Sequence, residues 1–381
     1  MAKKTLTITL EYPPQIGGIS TFIHQLVNAL PHDKSVVLAP HMADEKEWDA
    51  TVLYKVIRAN LFFPVFIWPR WVKLFFIARK IVKQEGIELI MVHHCLPVGY
   101  VAFLLKKFLG VPFLVFSHGT DVLANTRSSW KKDMSRMVLR QCEQLLFNSE
   151  SLKQRLLEKL PEFANKSTVV YPCPDADFFS PANQAEVELL RHQLALEGKQ
   201  VVLSIARLDE GKGFPHLVKI MPEVLKRVPN LVWIVIGNGP KRDSIYEDIR
   251  KHSLQNVVRY MGDVPHKDIK KYYYLAEVFA LFTHPEPDGR EEGLGLVFLE
   301  AAACGKPVIA GKSGGVEEAV IHGQTGLVVD VYGDLAGAGQ AIVDLIKQPE
   351  LAKQLGKAAQ DRIKGQFVWE RQLKVLEKWL S

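Results

Sequence analysis

The stretch Glu292-Gly-Leu-Gly-Leu-Val-Phe-Leu-Glu300 contains two carboxylates separated by seven residues, with a pair of glycines near the first. This spacing predicts a loop that runs into a helix, with Glu292 in the loop and Glu300 about two turns inside the helix. Gly293 and Gly295 let the backbone approach a ligand closely, and the free N–H groups at the start of a helix favour an anion. The stretch therefore predicts a site for one extended polar ligand with an anionic part, such as a diphosphate.

Outward from this stretch, short apolar runs alternate with longer helical patterns through both halves of the chain. Such alternation is typical of an α/β fold in which helices wrap a parallel sheet. In the first half the predicted strands are Leu6–Leu10, Ser35–Ala39, Leu89–His93, Phe113–Ser117, Gln144–Asn148 and Thr168–Tyr171. In the second half they are Gln200–Ala206, Leu231–Ile236, Val257–Met261, Val278–Leu281, Pro307–Ala310 and Gly326–Val329. The sequence therefore predicts two Rossmann-like domains.

Three prolines between Pro172 and Pro181 interrupt this alternation, and a charged segment follows them. Because prolines mark turns and loops, we expect a domain boundary there. Apolar residues at helical spacing near the end predict a C-terminal helix with no strand after it. The predicted parts are a first domain over residues 1–172, a linker region over 173–198, a second domain over 199–365 and a C-terminal helix over 366–381.

Length and composition fit two domains, since 381 residues with 48% apolar content can fill two substantial cores. The four cysteines lie far apart and include no C-x-x-C pair. This argues against a disulfide framework or a zinc site and for a reducing compartment. No apolar leader follows Lys3-Lys4, so we expect a mature N-terminus and a cytoplasmic protein.

The net charge of +6 is concentrated in the first half, where residues 50–140 carry 14 basic and 4 acidic residues. This part of the chain contains the aromatic-rich stretch 60–78. Two prolines, Arg70 and Lys73 make that stretch a poor membrane span, whereas clustered Trp and Phe beside basic residues suit a membrane interface. A hydrophobic lid and core helix of the first domain would have the same composition. The stretch therefore predicts either membrane contact or internal packing.

Further glycines and basic residues follow other predicted strands. Gly17 and Gly18 precede a helical pattern, where they form a tight turn or bring backbone N–H groups to an anion. Arg207-Leu-Asp-Glu-Gly-Lys-Gly213 follows the first strand of the second half. A guanidinium grips two oxygens and an ammonium acts as a point charge, so Arg207 and Lys212 fit a diphosphate, although an exposed turn also explains them.

Two more segments sit at predicted strand ends. Gly237-Asn-Gly-Pro-Lys-Arg242 superficially resembles a dinucleotide-binding loop, but Arg242 stands where the third glycine is needed for close helix packing, which argues against a dehydrogenase. His118, in Ser117-His-Gly-Thr-Asp121, is either a packed histidine or a site residue, because α/β folds build sites at strand ends. His93-His94 ends another strand and is interpreted mainly as structural.

Taken together, these segments resemble glycosyltransferase family 4, the retaining enzymes with the two-domain GT-B fold. The E-x7-E pair, the P-P-x-x-G-G-x loop, the R-x-x-x-x-K-G segment and the G-x-G-P segment each match that family, and the resemblance covers nearly the whole chain. It implies two Rossmann-like domains facing a central cleft, with the C-terminal helix crossing back to the first domain. The stretch 287–315 is most similar to the mannosyltransferase branch that includes phosphatidylinositol mannosyltransferases.

The resemblance also implies two sets of site residues. The implied catalytic residues are His118, Arg207, Lys212 and Glu292. The implied donor-binding residues are Gly17, Gly18, Asp121, Gly239, Gly262, Asp263, Val264, Gly293, Leu294, Gly295, Leu296 and Glu300. In this assignment Glu292 holds the sugar hydroxyls, Glu300 holds the ribose hydroxyls, and the two basic residues neutralise the diphosphate.

Asp175-Ala-Asp177 needs a separate interpretation, because a D-x-D pair binds a divalent cation in the other large glycosyltransferase fold. Here it lies in the proline-rich segment without further carboxylates, which favours a turn. We therefore expect no metal, and no cofactor other than the nucleotide-sugar substrate.

The implied function is transfer of a hexose, with mannose from GDP-mannose as the first hypothesis, to a lipid-linked sugar, phospholipid or polysaccharide acceptor. UDP-glucose and UDP-N-acetylglucosamine stay open as donors. Two other classes are a GT-B-like UDP-N-acetylglucosamine 2-epimerase and a non-catalytic nucleotide-sugar-binding subunit. The acceptor, the linkage and the oligomeric state are not readable from the sequence, which predicts no nucleic-acid partner. If residues 60–78 contact lipid, we expect a peripheral position on the inner face of the cell membrane.

Overall fold

The computed structural model describes residues 2–118 and 128–381, and these fold into two compact units. The first unit comprises Met1–Cys173 and Trp369–Ser381, and the second comprises Pro174–Val368. Each unit has one parallel β-sheet with helices packed on it. The predicted α/β class with two Rossmann-like domains is confirmed.

The first unit has a seven-stranded sheet in the order β3-β2-β1-β4-β5-β6-β7, with every pair of neighbours parallel. Its strands are β1 (Thr5–Ile8), β2 (Ser35–Pro40), β3 (Lys55–Ala59), β4 (Leu89–Val92), β5 (Phe113–Ser117), β6 (Gln144–Phe147) and β7 (Ser167–Val169). Of these strands, β3 is absent from the predicted set. This edge strand is only partly buried, and Lys55 and Arg58 interrupt its apolar run.

Helices cover both faces of this sheet. They are α1 (Gly18–Asn28), α2 (Glu45–Asp49), α3 (Val72–Glu85), α4 (Tyr100–Leu109), α5 (Ser129–Gln141), α6 (Glu150–Leu157) and the C-terminal helix (Trp369–Leu380). Because side chains alternate along a strand, Phe113 and Val115 of β5 join the core beneath α3 and α4. Leu114 and Phe116 of the same strand join the opposite core, which α1 and the C-terminal helix cover.

The C-terminal helix is anchored in the first unit by both apolar and polar contacts. Leu376 is fully buried in the core that α1 also covers. The Lys3 backbone N–H donates to the Leu380 carbonyl oxygen at 2.8 Å, and the Tyr171 N–H donates to Gln372 Oε1 at 3.0 Å. The helix therefore completes one face of the first sheet.

The second unit has a six-stranded parallel sheet in the order β10-β9-β8-β11-β12-β13. Its strands are β8 (Gln200–Ile205), β9 (Leu231–Ile236), β10 (Val258–Gly262), β11 (Val278–Leu281), β12 (Val308–Gly311) and β13 (Leu327–Val329). Its helices are α7 (Gln184–Gln193), α8 (Phe214–Arg227), α9 (Arg242–Lys251), α10 (His266–Leu275), α11 (Leu296–Ala303), α12 (Val316–Ala319), α13 (Leu335–Lys347) and α14 (Pro349–Gln366).

The strand order places a switch point in each sheet, between β1 and β4 in the first and between β8 and β11 in the second. Ligands of open α/β sheets bind at the carboxyl ends of the strands beside such a point. Gly17-Gly18 follows β1, the stretch 207–213 follows β8, and Glu292 lies between β11 and α11. The topology therefore brings the predicted segments of each unit to the expected edge of its own sheet.

The stretch 173–198, predicted as a linker, folds almost entirely as part of the second unit. Phe178 is buried and packs edge-on against Tyr273 of α10, with ring centroids 5.8 Å apart. The Lys270 ammonium, also on α10, donates to Asp177 Oδ1 at 3.1 Å. The linker prediction is corrected, because these contacts fix the stretch on α10 although its prolines exclude regular structure at its start.

The D-x-D pair forms a turn in this stretch. Asp175 Oδ1 accepts the backbone N–H of Asp177 at 3.0 Å, while Asp177 pairs with Lys270. Within residues 2–118 and 128–381, no three or more His, Cys, Asp or Glu side chains are grouped so that they could hold a metal ion.

Replacing Leu376 with alanine tests the packing of the C-terminal helix. The substitution removes a fully buried side chain at little cost in helix propensity, so it should lower the free energy of unfolding by about 2–5 kcal/mol. Urea denaturation followed by circular dichroism measures the change. Val375, 37% exposed on the same helix, is the matched control, and Val375→Ala should cost less than about 1 kcal/mol. Equal effects at the two positions would contradict the packing described above.

Candidate active site

Two glycines hold the loop after β8 against the end of β11. Gly211 and Gly213 have φ angles of 75° and 73°, in the left-handed region that favours glycine. A Cβ atom at Gly213 would collide with the carbonyl oxygen of Phe282, so no larger residue fits there without a shift of the backbone. Lys212 lies between these glycines and is therefore carried on a turn fixed at the carboxyl edge of the sheet.

Lys212 and Glu292 form an ion pair across this edge. The Lys212 ammonium donates to Glu292 Oε2 at 2.5 Å, and both side chains are partly exposed. The pair joins the loop after β8 to the loop after β11, over a separation of 80 residues in sequence. The structure thus brings together two residues that the sequence analysis placed at one ligand for separate reasons.

The loop after β12 fixes the backbone of Glu292. The Glu292 N–H donates to Ser313 Oγ at 3.2 Å, and its carbonyl oxygen accepts the N–H of Gly315 at 3.0 Å. Gly314 has a φ of 50°, and a Cβ there would collide with the Glu292 carbonyl oxygen. The sequence analysis assigned no role to Ser313-Gly-Gly315, although a small residue and two glycines directly after a strand are a signal for close backbone approach.

The predicted loop-to-helix transition lies at Gly295. Gly295 has a φ of 86° and is the N-cap of α11, and the ring of Phe298 fills the space that a Cβ would need. Leu294 is buried, with 1% of its surface exposed. Gly293 precedes it in the same loop, and Leu296 begins the helix. In this first turn the Phe298 N–H donates to the Gly295 carbonyl oxygen at 3.0 Å, and the N–H groups before it have no earlier helical residue to donate to, which favours an anion there.

Glu300 lies inside α11 in a different environment from Glu292. It is only 4% exposed, and the hydroxyl of Tyr273 donates to its Oε2 at 2.9 Å. Burial raises the pKa of the Glu300 carboxyl above its usual range. The described residues make no hydrogen bond to Oε1, so one carboxyl oxygen is held while the other can accept from a ligand. Nothing in the sequence pattern pointed to Tyr273, because it comes from a separate helix.

Arg207 is the least constrained of the predicted phosphate-binding groups. Its side chain is 71% exposed, and its Nε lies 3.5 Å from Asp209 Oδ2. Lys212 is tied to the site by an ion pair, whereas the Arg207 guanidinium lies at the surface of the same loop. The structure therefore does not place Arg207 in contact with Glu292.

The loops after β9 and β10 lie beside the loop after β8. A Cβ at Gly239 would collide with the Leu208 backbone, so this glycine is explained by packing. The Gly237 N–H donates to the Gly262 carbonyl oxygen at 2.8 Å, and Gly262 itself has a φ of 66°. Asp263 and Val264 follow directly. All of these predicted residues lie at the carboxyl ends of adjacent strands.

In the first unit, Gly17 and Gly18 differ from the glycines described above. Neither has a φ in the left-handed region, and a Cβ built at either position meets no atom within 4 Å. Packing and backbone conformation therefore do not require glycine at the start of α1. Open space above these residues is consistent with close approach of a ligand.

His118 directly follows β5 and is buried, with its Nε2 3.1 Å from Nδ1 of His93. Burial lowers the pKa of His118 to about 3, so the ring is neutral at physiological pH. The earlier interpretation of His93 as structural missed this contact, since nothing in the sequence shows that the two strand ends adjoin. Asp121, predicted to bind the donor, lies outside the described residues.

The aromatic-rich stretch 60–78 combines internal packing with exposed side chains. Leu61 and Leu74 are buried in the core of the first unit, whereas Phe66 and Trp68 are 81% and 83% exposed. Part of the stretch also lines a cavity of about 460 Å³ at the carboxyl ends of β1, β2 and β3. Of the helices in the described part of the chain, none is long and apolar enough to cross a membrane.

Family models match both halves of the chain. Residues 16–178 match the model described as Glycosyltransferase Family 4, and residues 186–362 match the model described as Glycosyl transferases group 1. The two matches do not overlap and leave out only the ends and a short segment between the halves.

Similar curated proteins include two bacterial mannosyltransferases. The chain is 26% identical to the GDP-mannose-dependent alpha-(1-6)-phosphatidylinositol monomannoside mannosyltransferase of Mycolicibacterium smegmatis, with 99% of this chain and 98% of that protein covered. It is 27% identical to the GDP-mannose-dependent monoacylated alpha-(1-6)-phosphatidylinositol monomannoside mannosyltransferase of Corynebacterium glutamicum, with 97% of this chain and 95% of that protein covered.

Solved structures agree in fold. Anabaena Alr3699/HepE, determined in complex with UDP and glucose, superimposes with a TM-score of 0.81 at 20% identity, and 99% of each chain is covered. Sucrose-phosphate synthase from Thermosynechococcus elongatus gives 0.79 at 22% identity, with 99% of this chain and 98% of that chain covered. With both halves matched and this fold shared along the whole chain, the protein belongs to the family 4 glycosyltransferases of GT-B fold.

Proposed function

We propose that this glycosyltransferase is a retaining enzyme that transfers a hexose, with mannose from GDP-mannose as the first hypothesis, to a lipid-linked or glycan acceptor. The observation that carries the proposal is the ion pair between Lys212 and Glu292. Glu292 lies three residues before Gly295, the N-cap of α11. A cation suits the diphosphate of a nucleotide-sugar, and a carboxylate accepts hydrogen bonds from sugar hydroxyls. The two groups stand side by side, as the two neighbouring parts of such a donor do.

Donor binding in this proposal keeps the Lys212–Glu292 and Tyr273–Glu300 contacts in place. An ammonium has three N–H donors, so Lys212 can keep Glu292 while it donates to a phosphate oxygen. The exposed Arg207 guanidinium can turn onto the diphosphate and grip two oxygens. Glu300 accepts from the ribose hydroxyls through the oxygen that Tyr273 leaves open.

In the proposed reaction the acceptor hydroxyl attacks the anomeric carbon on the face from which the diphosphate leaves. A carbon–oxygen bond to the acceptor forms as the bond to the phosphate oxygen breaks, and the hydroxyl proton passes to a donor phosphate oxygen. Negative charge grows on the leaving diphosphate, where Lys212, Arg207 and the first turn of α11 stabilise it. Since these groups supply the positive charge, we propose that transfer does not require a metal ion.

The identity of the donor rests on the relatives. Several proteins at 26–27% identity are named GDP-mannose-dependent mannosyltransferases, which supports mannose as the transferred hexose. A structural neighbour was solved with UDP-glucose, so UDP-hexoses are the alternative donors.

Lys212→Ala should reduce kcat/KM by roughly 100- to 1,000-fold, because it removes a cation from the developing charge and leaves Glu292 without its partner. Initial rates with GDP-mannose and UDP-glucose, measured with and without EDTA, test this. Lys226→Ala on the exposed face of α8 is the control and should leave the rate unchanged. Unchanged turnover in Lys212→Ala or in Arg207→Ala would overturn the assignment of these residues to the diphosphate.

A panel of nucleotide-sugars identifies the donor before an acceptor is known. A ligand present at about 100 times its dissociation constant adds roughly 2.7 kcal/mol to the stability of the folded protein, so the melting temperature should rise most with GDP-mannose. A larger rise with UDP-glucose or UDP-N-acetylglucosamine would replace mannose in the proposal. Conversion of UDP-N-acetylglucosamine without any acceptor would indicate the epimerase instead.

For the acceptor we propose a phosphate-bearing lipid that binds through exposed apolar side chains of the first unit. These side chains, called here the aromatic surface, are Val65, Phe66, Trp68, Phe76 and Phe108. These side chains are all more than half exposed. Phe76 shares one face of α3 with Lys73 and Lys80, at helical spacing. Exposed aromatic side chains beside lysines are what an anionic membrane interface binds.

The cavity next to the aromatic surface fits the same acceptor class. Its lining combines apolar side chains with Arg70 and Lys73. An apolar wall suits acyl chains or a lipid tail, and the two cations suit a phosphate group. The named relatives act on phosphatidylinositol monomannoside, a lipid of this chemistry, which adds support.

Co-sedimentation with vesicles tests the aromatic surface. Binding to vesicles of phosphatidylcholine with phosphatidylglycerol should exceed binding to phosphatidylcholine alone and should fall with added salt. Because burying each exposed aromatic ring contributes more than about 1 kcal/mol, Phe66→Ser with Trp68→Ser should weaken binding at least about tenfold. Leu189→Ser, at an exposed leucine of the second unit, is the control. Equal binding by the double variant, or no binding by the wild type, would remove the membrane proposal.

A further inference from the structure

A buried pair of imidazoles lies at the carboxyl ends of two neighbouring strands in the first unit. His93 follows β4 and His118 follows β5, and the two strands are paired in parallel. His93 is 0% exposed, its ring is nearly parallel to that of His118 at 13°, and their facing nitrogens are 3.1 Å apart. The sequence analysis gave His93 no part in the site.

The protons of the pair can be assigned from its surroundings. Burial lowers the pKa of both rings, so each is neutral and carries one N–H and one lone pair. In the hydrogen bond between them, one ring donates its N–H and the other accepts with its lone pair. Nε2 of His93 is buried and has no hydrogen-bond partner among the described residues. Unpaired N–H groups are rarer in protein interiors than unpaired acceptors, so His93 carries its proton on Nδ1 and leaves a lone pair on Nε2.

It follows that His93 donates and that Nε2 of His118 accepts. A neutral imidazole whose Nε2 accepts must carry its proton on Nδ1. Within residues 2–118 and 128–381 no group hydrogen-bonds Nδ1 of His118, so none of these residues competes with a ligand for this N–H. With the opposite tautomer, His118 would offer a lone pair there and would act as an acceptor or base.

We propose that His93 is a positioning residue that holds His118 in the Nδ1–H tautomer, so that His118 donates a hydrogen bond to a substrate oxygen and does not take up a proton. The consequence for catalysis rests on the proposed function, whereas the tautomer itself does not. His93 acts entirely through His118, since its own ring is enclosed.

Neighbouring aromatic rings pack against both histidines and hold their orientation. His93 stacks on Phe116 with centroids 4.6 Å apart, and Phe22 packs edge-on against His118 at 5.2 Å. Phe22 belongs to α1, which begins at Gly18. Among the described titratable groups, His94 acts on both rings, and its Nε2 lies 3.7 Å from Oε1 of Glu11. The same aromatic cluster therefore supports both His118 and the helix that follows the glycine loop.

Nitrogen-15 NMR of the full-length protein labelled at its 12 histidines tests the tautomer directly. The shifts of a neutral ring separate the protonated nitrogen from the unprotonated one, and the His118→Gln spectrum identifies the His118 signals. We expect His118 protonated on Nδ1 in the wild type and shifted mainly to the Nε2–H form in His93→Phe. His93→Asn, which restores an N–H donor, should return the Nδ1–H form. His118 protonated on Nε2 in the wild type, or unchanged in His93→Phe, would overturn the proposal.

Kinetics separate positioning from a loss of folding. His93→Phe should lower kcat by about 10- to 100-fold with the donor KM within about twofold, and His93→Asn should recover part of the rate. His192→Phe, at an exposed histidine of α7 in the second unit, controls for the substitution type and should leave both unchanged. Equal losses in the Phe and Asn variants would indicate a structural role and would contradict the proposal. If no donor is turned over by the wild type, the proposed function fails, while the NMR result still decides the tautomer.

Discussion

Close backbone approach between three loops at the carboxyl end of the second sheet is the constraint on which the candidate site depends. Gly213 lies against the Phe282 carbonyl and Gly314 against the Glu292 carbonyl, and neither contact leaves room for a Cβ. The loops come from β8, β11 and β12, so these glycines bring distant segments into register. The ion pair between Lys212 and Glu292 follows from that packing, because only a fixed backbone holds two flexible side chains at hydrogen-bond distance.

Glu292 and Glu300, the two glutamates of the E-x7-E stretch, lie in different environments. Glu292 is partly exposed and paired with a cation, whereas Glu300 is buried and held by a tyrosine hydroxyl. Desolvation therefore raises the pKa of the Glu300 carboxyl, whereas Glu292 lies at the surface of the site beside the Lys212 ammonium. In the proposed function the two carboxylates position two parts of one ligand, and their separation along the loop and helix corresponds to the distance between those parts.

Much of the architecture could be predicted from the sequence, and the exceptions have physical causes. Apolar runs located the strands with buried faces, but β3 escaped notice because an edge strand needs only one covered side. The prolines predict a break near residue 172 and the first segment of the first unit ends at Cys173, but Phe178 and Asp177 anchor the following stretch to α10. For the stretch 60–78 the sequence predicts either membrane contact or internal packing. In the structure some of its apolar side chains are buried in the core and others are exposed, because side chains of one segment point to different sides.

Every strand except β3 and the loop-to-helix placement of the two glutamates could be predicted from the amino-acid sequence, because these depend on local periodicity and backbone conformation. The contacts between side chains follow from the packing of the folded chain. Lys212 reaches Glu292, Tyr273 reaches Glu300, and His93 reaches His118, each across neighbouring loops, strands or helices that lie far apart in sequence. Periodicity cannot report such pairs, because they are created by the order in which strands assemble into a sheet and by the closeness with which loops pack at its edge.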